Sequence, residues 1–204
     1  MERKTSMILS LQGCMAVGKT TAVNWLRDNA PWVHISYEEN ADVIRRVKES
    51  GLDKNRYEDY LQIQRLWIEN EVSRYRSAAG YPCTVMDFGA EEIEFYTLHY
   101  PQSIGQVWEI ENALKDELAE LRRCLPSRIL FLDASEETLR ARRAHDPVRT
   151  RPFFEHHLQR LMPLKREWFA RKDNVDWLCV DELSPQEVGE RVKAWAEACI
   201  GRKG

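Results

Sequence analysis

The string Gly13-Cys14-Met15-Ala16-Val17-Gly18-Lys19-Thr20 constrains this chain more than any other feature. It satisfies G-x-x-x-x-G-K-[ST] and lies between an apolar run, Met7–Gln12, and a segment of helical period, Lys19–Asn29. Glycine permits backbone conformations and close approach that a Cβ forbids, so successive N–H groups in such a loop turn inward around an anion. The helix that follows adds the positive end of its dipole. Gly13 and Gly18 then shape the loop, Lys19 reaches the β and γ phosphates of a nucleoside triphosphate such as ATP, and Thr20 ligates Mg²⁺ through its hydroxyl. Thr21 belongs to the same nucleotide-binding set. The alternative, a glycine-rich turn that binds nothing, has to explain why strand, loop, Lys-Thr and helix all occur in register.

A loop of this kind grows from a strand, and the rest of the chain supplies the sheet. Further short apolar runs occupy Trp32–Ser36, Cys83–Asp87, Arg128–Asp133 and Val175–Val180. Uninterrupted stretches such as Ile129-Leu130-Phe131-Leu132 suit parallel strands covered on both faces. Segments of helical period alternate with them, which is the α/β signature. Tyr57–Ala79 reads as a long helix with Gly80 as its C-cap residue. Gly105–Arg123 reads as another, with Ile110, Leu114, Leu118 and Leu121 recurring on one face. Ser184-Pro185-Gln186-Glu187 carries a capping serine, an N1 proline and a glutamate three residues after the cap, and so opens a last helix. Val188, Val192, Trp195 and Cys199 share one face of it and read as core.

With 204 residues, 43% of them apolar, residues 1–204 are expected to form one domain with its own core. Thirty basic against thirty-three acidic residues leave a net charge of −3, without the basic footprint of a nucleic-acid binder. Five scattered cysteines with no C-x-x-C pair suggest neither a disulfide framework nor a zinc site. Met7–Leu11 is too brief for a signal peptide or a membrane span, so no membrane association and a cytoplasmic location are expected.

Asp87 ends the third apolar run, and the carboxyl ends of strands are where such sheets bind ligands. Its carboxylate suits Mg²⁺ or the proton of an attacking hydroxyl; the competing role is to cap a helix near Ala90–Tyr100. Asp87-Phe88-Gly89 is not a protein-kinase signature here, because the phosphate loop is a different motif and no H-R-D loop is present. Asp133, before Ser135-Glu136-Glu137, reads as a structural turn at a helix entry. Arg140, Arg142, Arg143, Arg149 and Arg151 crowd one segment, which is either a phosphate-closing lid or a solvated charge run. His145, His156 and His157 lack metal-ligand spacing and read as surface or packing residues.

Together these features resemble the P-loop kinases of small metabolites, in particular nucleoside and nucleoside-monophosphate kinases of the deoxynucleoside and thymidylate kinase type. The resemblance rests on the N-terminal phosphate loop, the chain length and the five-strand rhythm. It implies a three-layer α/β/α fold with a five-stranded parallel sheet, a helical substrate region and an arginine-rich lid at about 140–152, where Arg140 and Arg143 hold the transferring phosphoryl group. It implies an ATP- and Mg²⁺-dependent phosphotransferase acting on a small acceptor, a nucleoside or nucleotide, and a homodimer is compatible with it. Within Ser36-Tyr37-Glu38-Glu39-Asn40, Glu38 stands near the place of the glutamate that takes the 5′-hydroxyl proton in deoxynucleoside kinases, although proline follows there and Asn40 follows Glu39 here. Gln64 resembles their base-reading glutamine. Their third strand ends in Glu-Arg-Ser, against Asp87-Phe88-Gly89 here, so that arginine is missing. A kinase of another metabolite or antibiotic, and a nucleotide-dependent switch or accessory ATPase, are the alternatives.

Overall fold

The computed structural model describes residues 6–145 and 153–202. In chain order the elements are β1 (Met7–Gly13), α1 (Lys19–Asn29), β2 (His34–Ser36), α2 (Ala41–Glu49), α3 (Tyr57–Ala78), β3 (Cys83–Asp87), α4 (Ala90–Ser103), α5 (Ile110–Ala113), α6 (Lys115–Arg122) and β4 (Arg128–Asp133). There follow α7 (Glu136–Ala144), α8 (Phe154–His156), a π-helical turn at His157–Leu161, α9 (Met162–Ala170), β5 (Val175–Cys179) and α10 (Pro185–Cys199). The five strands form one parallel sheet in the order β2-β3-β1-β4-β5.

Strand β1 is central because its side chains are buried on both faces. Leu9 and Leu11 join Val23 and Leu26 of α1 and Val188 and Val192 of α10 in one cluster. Ile8 and Met86 turn the other way, onto Ala78 and Tyr75 of α3. A separate cluster binds α3, α4 and α6 through Tyr60, Ile68, Phe95 and Leu118. The sheet thus has helices on both faces, with an additional helical lobe built on α3 and α4. No helix among the described residues is long and apolar enough to cross a membrane.

The strands expected at Cys83–Asp87 and Arg128–Asp133 and the helix at Lys19–Asn29 occur with those bounds. Ser184 accepts from the Glu187 amide while the Glu187 carboxylate accepts from the Ser184 amide, completing the expected capping box. Three expectations are corrected. The helix over Gly105–Arg123 is two short helices that meet at Leu114, whose φ of −117° and ψ of 29° break the α pattern. Ile110, Leu114, Leu118 and Leu121 are all buried regardless, so the burial period continues across the break and hides it from the sequence. Gly80 does not provide a left-handed cap: α3 ends on Ala79 in helical conformation, and the Gly80 amide simply closes onto Ser77 O at 3.1 Å. The helix after β3 runs to Ser103 rather than Tyr100 and carries Pro101 in its last turn.

Helix α10 contains one interior glycine, Gly189, which faces Trp25 of α1. A Cβ there would lie 2.4 Å from the Trp25 ring. Alanine is intrinsically the better helix former by about 1 kcal/mol, but the overlap costs more, typically about 1–3 kcal/mol for overpacking. Gly189→Ala is therefore expected to lower stability by about 1 kcal/mol or more, measured by denaturant melts. An increase in stability would show that α1 and α10 separate freely.

Candidate active site

The phosphate loop is built where β1 meets β4. Gly13 has φ 134°, and a Cβ on it would sit 2.2 Å from the Leu132 carbonyl of β4. Gly18, φ 110°, precedes α1, and Ala16 between them is also left-handed at φ 67°. Alternating backbone handedness of this kind turns N–H groups to one side, and no acidic residue in the first turn of α1 competes with an incoming anion. Lys19 Nζ folds back onto the carbonyls of Gly13 and Cys14, at 3.1 Å each. Burial pushes the Cys14 thiol up to about 11 in spite of Lys19 nearby, so it is a neutral packing group in the loop.

The β1–β3 register sets Leu11 opposite Asp87, which brings the end of β3 against the start of α1. Thr20 Oγ1 donates to Asp87 Oδ2 at 2.7 Å. The helix-capping role considered for Asp87 is not the one it plays: α4 starts after Gly89 with no side-chain cap. A hydroxyl beside a carboxylate suits Mg²⁺, which takes one or two protein oxygens and completes its octahedron with phosphate and water. Among the described residues no group of three or more His, Cys, Asp or Glu forms a protein metal cage.

A cleft of about 1450 Å³ opens from the loop and is lined beyond it by Glu38, Gln64, Trp67, Asp87, Phe88 and Tyr96. Thr21 is exposed and also lines it. Glu38 is exposed to the open cleft, yet the protein around it partly desolvates its carboxyl and raises its pKa, and the charges of Asp87 and, less strongly, Glu92 raise it further, against the pull of Lys19 and Arg74. Asn40 Nδ2 donates to Glu38 Oε1. Gln64 Oε1 accepts from Thr97 Oγ1 at 2.8 Å. The Tyr60 hydroxyl is spent on the carbonyls of Tyr96 and Thr97.

Several residues at this site escaped sequence reasoning. Lys165 of α9 is wholly buried, pairs with Glu92 of α4, and lies 3.4 Å from Gly13 O. Desolvation depresses its pKa, partly offset by Glu92. His157, placed by sequence among surface or packing residues, is buried and lines the cleft; its Nδ1 meets the Tyr96 hydroxyl at 2.5 Å, and burial holds the imidazole well below its ordinary pKa. Helical periodicity marks none of these, because a lysine or glutamate on a buried face looks like an error in the stripe.

The arginine segment divides. Arg142 donates to Val17 O at 2.8 Å and Val180 O at 2.6 Å, which fastens α7 to the phosphate loop and to the chain just after β5. Arg140 is held by Glu155 at 2.6 Å and Glu136 at 3.6 Å, and Arg143 lies 5.0 Å over the Phe154 ring. Neither Arg140 nor Arg143 hydrogen-bonds the loop. Arg149 and Arg151 lie outside the described residues. Asp133 accepts from Arg166 at 2.8 Å and from the Ala134 amide, in keeping with a structural turn.

No curated protein matches the sequence. Among solved structures, thymidylate kinase from Candida albicans is similar at a TM-score of 0.66 and 12% identity, over 98% of this chain and 94% of that one. Deoxyadenosine kinase from M. mycoides, solved with dCMP and a flexible dCDP, is similar at a TM-score of 0.70 and 15% identity, over 94% of this chain and all of that one. The fold is thus that of the P-loop nucleoside and nucleotide kinases. Residues 9–176 match the AAA domain family, a span that holds the phosphate loop, Asp87 and Lys165, and the chain belongs to that family.

Proposed function

We propose that the protein is an ATP- and Mg²⁺-dependent kinase that transfers the γ-phosphoryl group to a hydroxyl of a small acceptor, with a nucleoside as the best fit. The observation that carries this reading is the 2.7 Å contact of Thr20 with Asp87, which joins the phosphate loop to a carboxylate facing the same cleft as Glu38. The two structural neighbours, both kinases of nucleosides or nucleotides by their names, support it.

Phosphoryl transfer asks the protein mainly for positioning and charge stabilisation. Lys19, now on two carbonyls, exchanges them for β and γ oxygens when nucleotide enters. Thr20 and Asp87 would hold Mg²⁺, which when bound would supply neutralisation of the charge developing on the phosphate oxygens. Glu38 accepts the proton of the acceptor hydroxyl as its oxygen bonds to γ-phosphorus and the bond to the ADP oxygen breaks. Glu38 suits this role better than Asp87, because Asp87 is engaged by Thr20 and the environment of Glu38 raises its affinity for a proton. Arg142 and the neighbouring arginines are the lid candidates.

The acceptor end favours a neutral hydroxyl over a phosphate monoester. Glu38, Asp87 and Glu92 all line it, and Lys165 is already paired with Glu92. Trp67, Phe88, Tyr96 and Tyr100 give flat apolar walls for a ring.

A panel of nucleosides, nucleotides, sugars and antibiotics assayed for acceptor-dependent ADP release tests the reading. ATP turnover indifferent to every acceptor would instead favour a switch or accessory ATPase. Lys19→Ala is expected to keep the fold while cutting transfer by roughly 10²–10³, the scale for one preorganised contact; near-normal turnover removes Lys19 from the mechanism. Asp87→Asn is expected to raise the Mg²⁺ concentration needed for half-maximal rate, and an unchanged metal dependence assigns the metal elsewhere. The base works only when ionised, so activity falls as pH drops through the Glu38 pKa. Because desolvation raises that pKa, the acid limb of kcat/KM should lie above the ordinary value of 4.5 and vanish, with most of the activity, in Glu38→Gln.

A further inference from the structure

Arg74 of α3 is buried and touches the chain at the ends of β2 and β3, which lead to Glu38 and carry Asp87. Nη1 donates to the carbonyls of Ser36 at 3.3 Å and Tyr37 at 3.2 Å, the two peptides that lead into Glu38. It also reaches Ser36 Oγ at 3.3 Å. Nη2 donates to the carbonyl of Phe88, the residue after Asp87, at 2.5 Å. The remaining fork of the guanidinium, Nε with Nη2, grips both oxygens of Glu71 at 2.9 and 3.0 Å. Phe88 itself is left-handed, at φ 49°, and its ring lies 5.4 Å from the Arg74 guanidinium carbon. A non-glycine residue in that conformation persists only where its surroundings over-determine it.

We propose that Arg74 is a positioning residue, which fixes Glu38 and Asp87 relative to each other by tying the ends of β2 and β3 through one planar guanidinium. The proposal rests on the kinase reading for its catalytic consequence, but the geometry does not. Strands β2 and β3 pair only over His34–Ser36 against Thr84–Met86, so ladder hydrogen bonds stop before either carboxylate is reached. Beyond Ser36 the end of β2 has no ladder contact with β3, whose own end is held by Leu11 of β1, and Arg74 spans the gap. Glu71 accepts from the edge of the fork turned away from the strands, where a glutamine oxygen can still accept, and its carboxyl is pushed up to about 7 by burial, against the pull of Arg74. A lysine cannot take over, because an ammonium on a shorter reach cannot serve Glu71, two carbonyls on β2 and one after β3 at once.

The test uses the full chain with Arg74→Lys and Glu71→Gln. Both variants disturb the same buried ion pair, so a purely structural role predicts the same loss in each. The proposal predicts that Arg74→Lys binds MgADP within about threefold of wild type yet loses roughly 10²-fold in kcat, the scale of an ångström-level misplacement, whereas Glu71→Gln stays within about threefold in both. A second readout needs no turnover: carboxyl-carbon NMR follows the titration of Glu38, identified by the signal lost in Glu38→Gln. The groups around Glu38 are Asp87, Glu92, Lys19 and Arg74. With lysine at 74 the ammonium stays with Glu71 and withdraws from the Ser36 and Tyr37 carbonyls, so the Glu38 midpoint should rise by roughly half a pH unit or more. An unchanged midpoint, or equal kinetic losses in the two variants, overturns the proposal. A wild type that phosphorylates no acceptor while the midpoint still rises in Arg74→Lys overturns the kinase reading and leaves the positioning role of Arg74 standing.

Discussion

The parallel pairing of β1 with β3 is the constraint on which the site depends. With Leu11 opposite Asp87, the strand that launches the phosphate loop and the strand that ends in a carboxylate finish at the same height. The chain from Gly13 to Gly18 then needs only one turn to bring Thr20 onto Asp87 at 2.7 Å. A slip of one residue would reverse every side chain of β3 and turn Asp87 into the opposite face. The register is pinned from both sides, since Leu9 and Leu11 pack toward α1 while Ile8 and Met86 pack toward α3. Core burial therefore fixes the Thr20–Asp87 distance, although none of those residues touches the cleft.

Around this frame the structure buries several charges, and three of the carboxylates are met by specific groups. Glu91 accepts from Ser10, Gln12 and the Gly89 amide. Glu71 is gripped by Arg74, and Glu92 by Lys165. Isolated ions in such places cost several kcal/mol, and even good pairs often only break even against apolar replacements. The pairs are therefore poor explanations of stability. They cluster instead where β1, β2 and β3 end, so the desolvation cost is spent beside the phosphate loop, where fixed dipoles and charges act without water to screen them.

The sheet and the loop were legible in the sequence because their signals are local. A glycine that must avoid the Leu132 carbonyl, an apolar run covered on two faces, and a Ser-Pro-x-Glu helix entry each announce themselves within a few residues. The break at Leu114 was hidden because its neighbours keep the burial period across it. Lys165 and Glu92 were hidden for a different reason: what sets them apart is a partner 73 to 152 residues away (165 − 92 and 165 − 13). Among the arginines, composition marked the cluster but not its orientation. Arg142, not Arg140 or Arg143, faces the loop because the Glu155 and Glu136 carboxylates hold Arg140 aside.

Arg142 is tethered to the phosphate loop in the same manner as Lys19. Its two hydrogen bonds end on Val17 O, inside the phosphate loop, and on Val180 O, just past β5. Backbone carbonyls are weaker partners for a guanidinium than phosphate oxygens, which accept charge-assisted and often bidentate hydrogen bonds. On the kinase reading, a triphosphate entering the loop would compete for Arg142 with partners it can displace, just as it would compete for Lys19 with the carbonyls of Gly13 and Cys14. Among the described residues, both cations are kept near the site by neutral acceptors and not by carboxylates. An acidic partner would hold them more tightly in the empty site and lower nucleotide affinity by the strength of that pair, whereas carbonyl tethers preserve position at small cost.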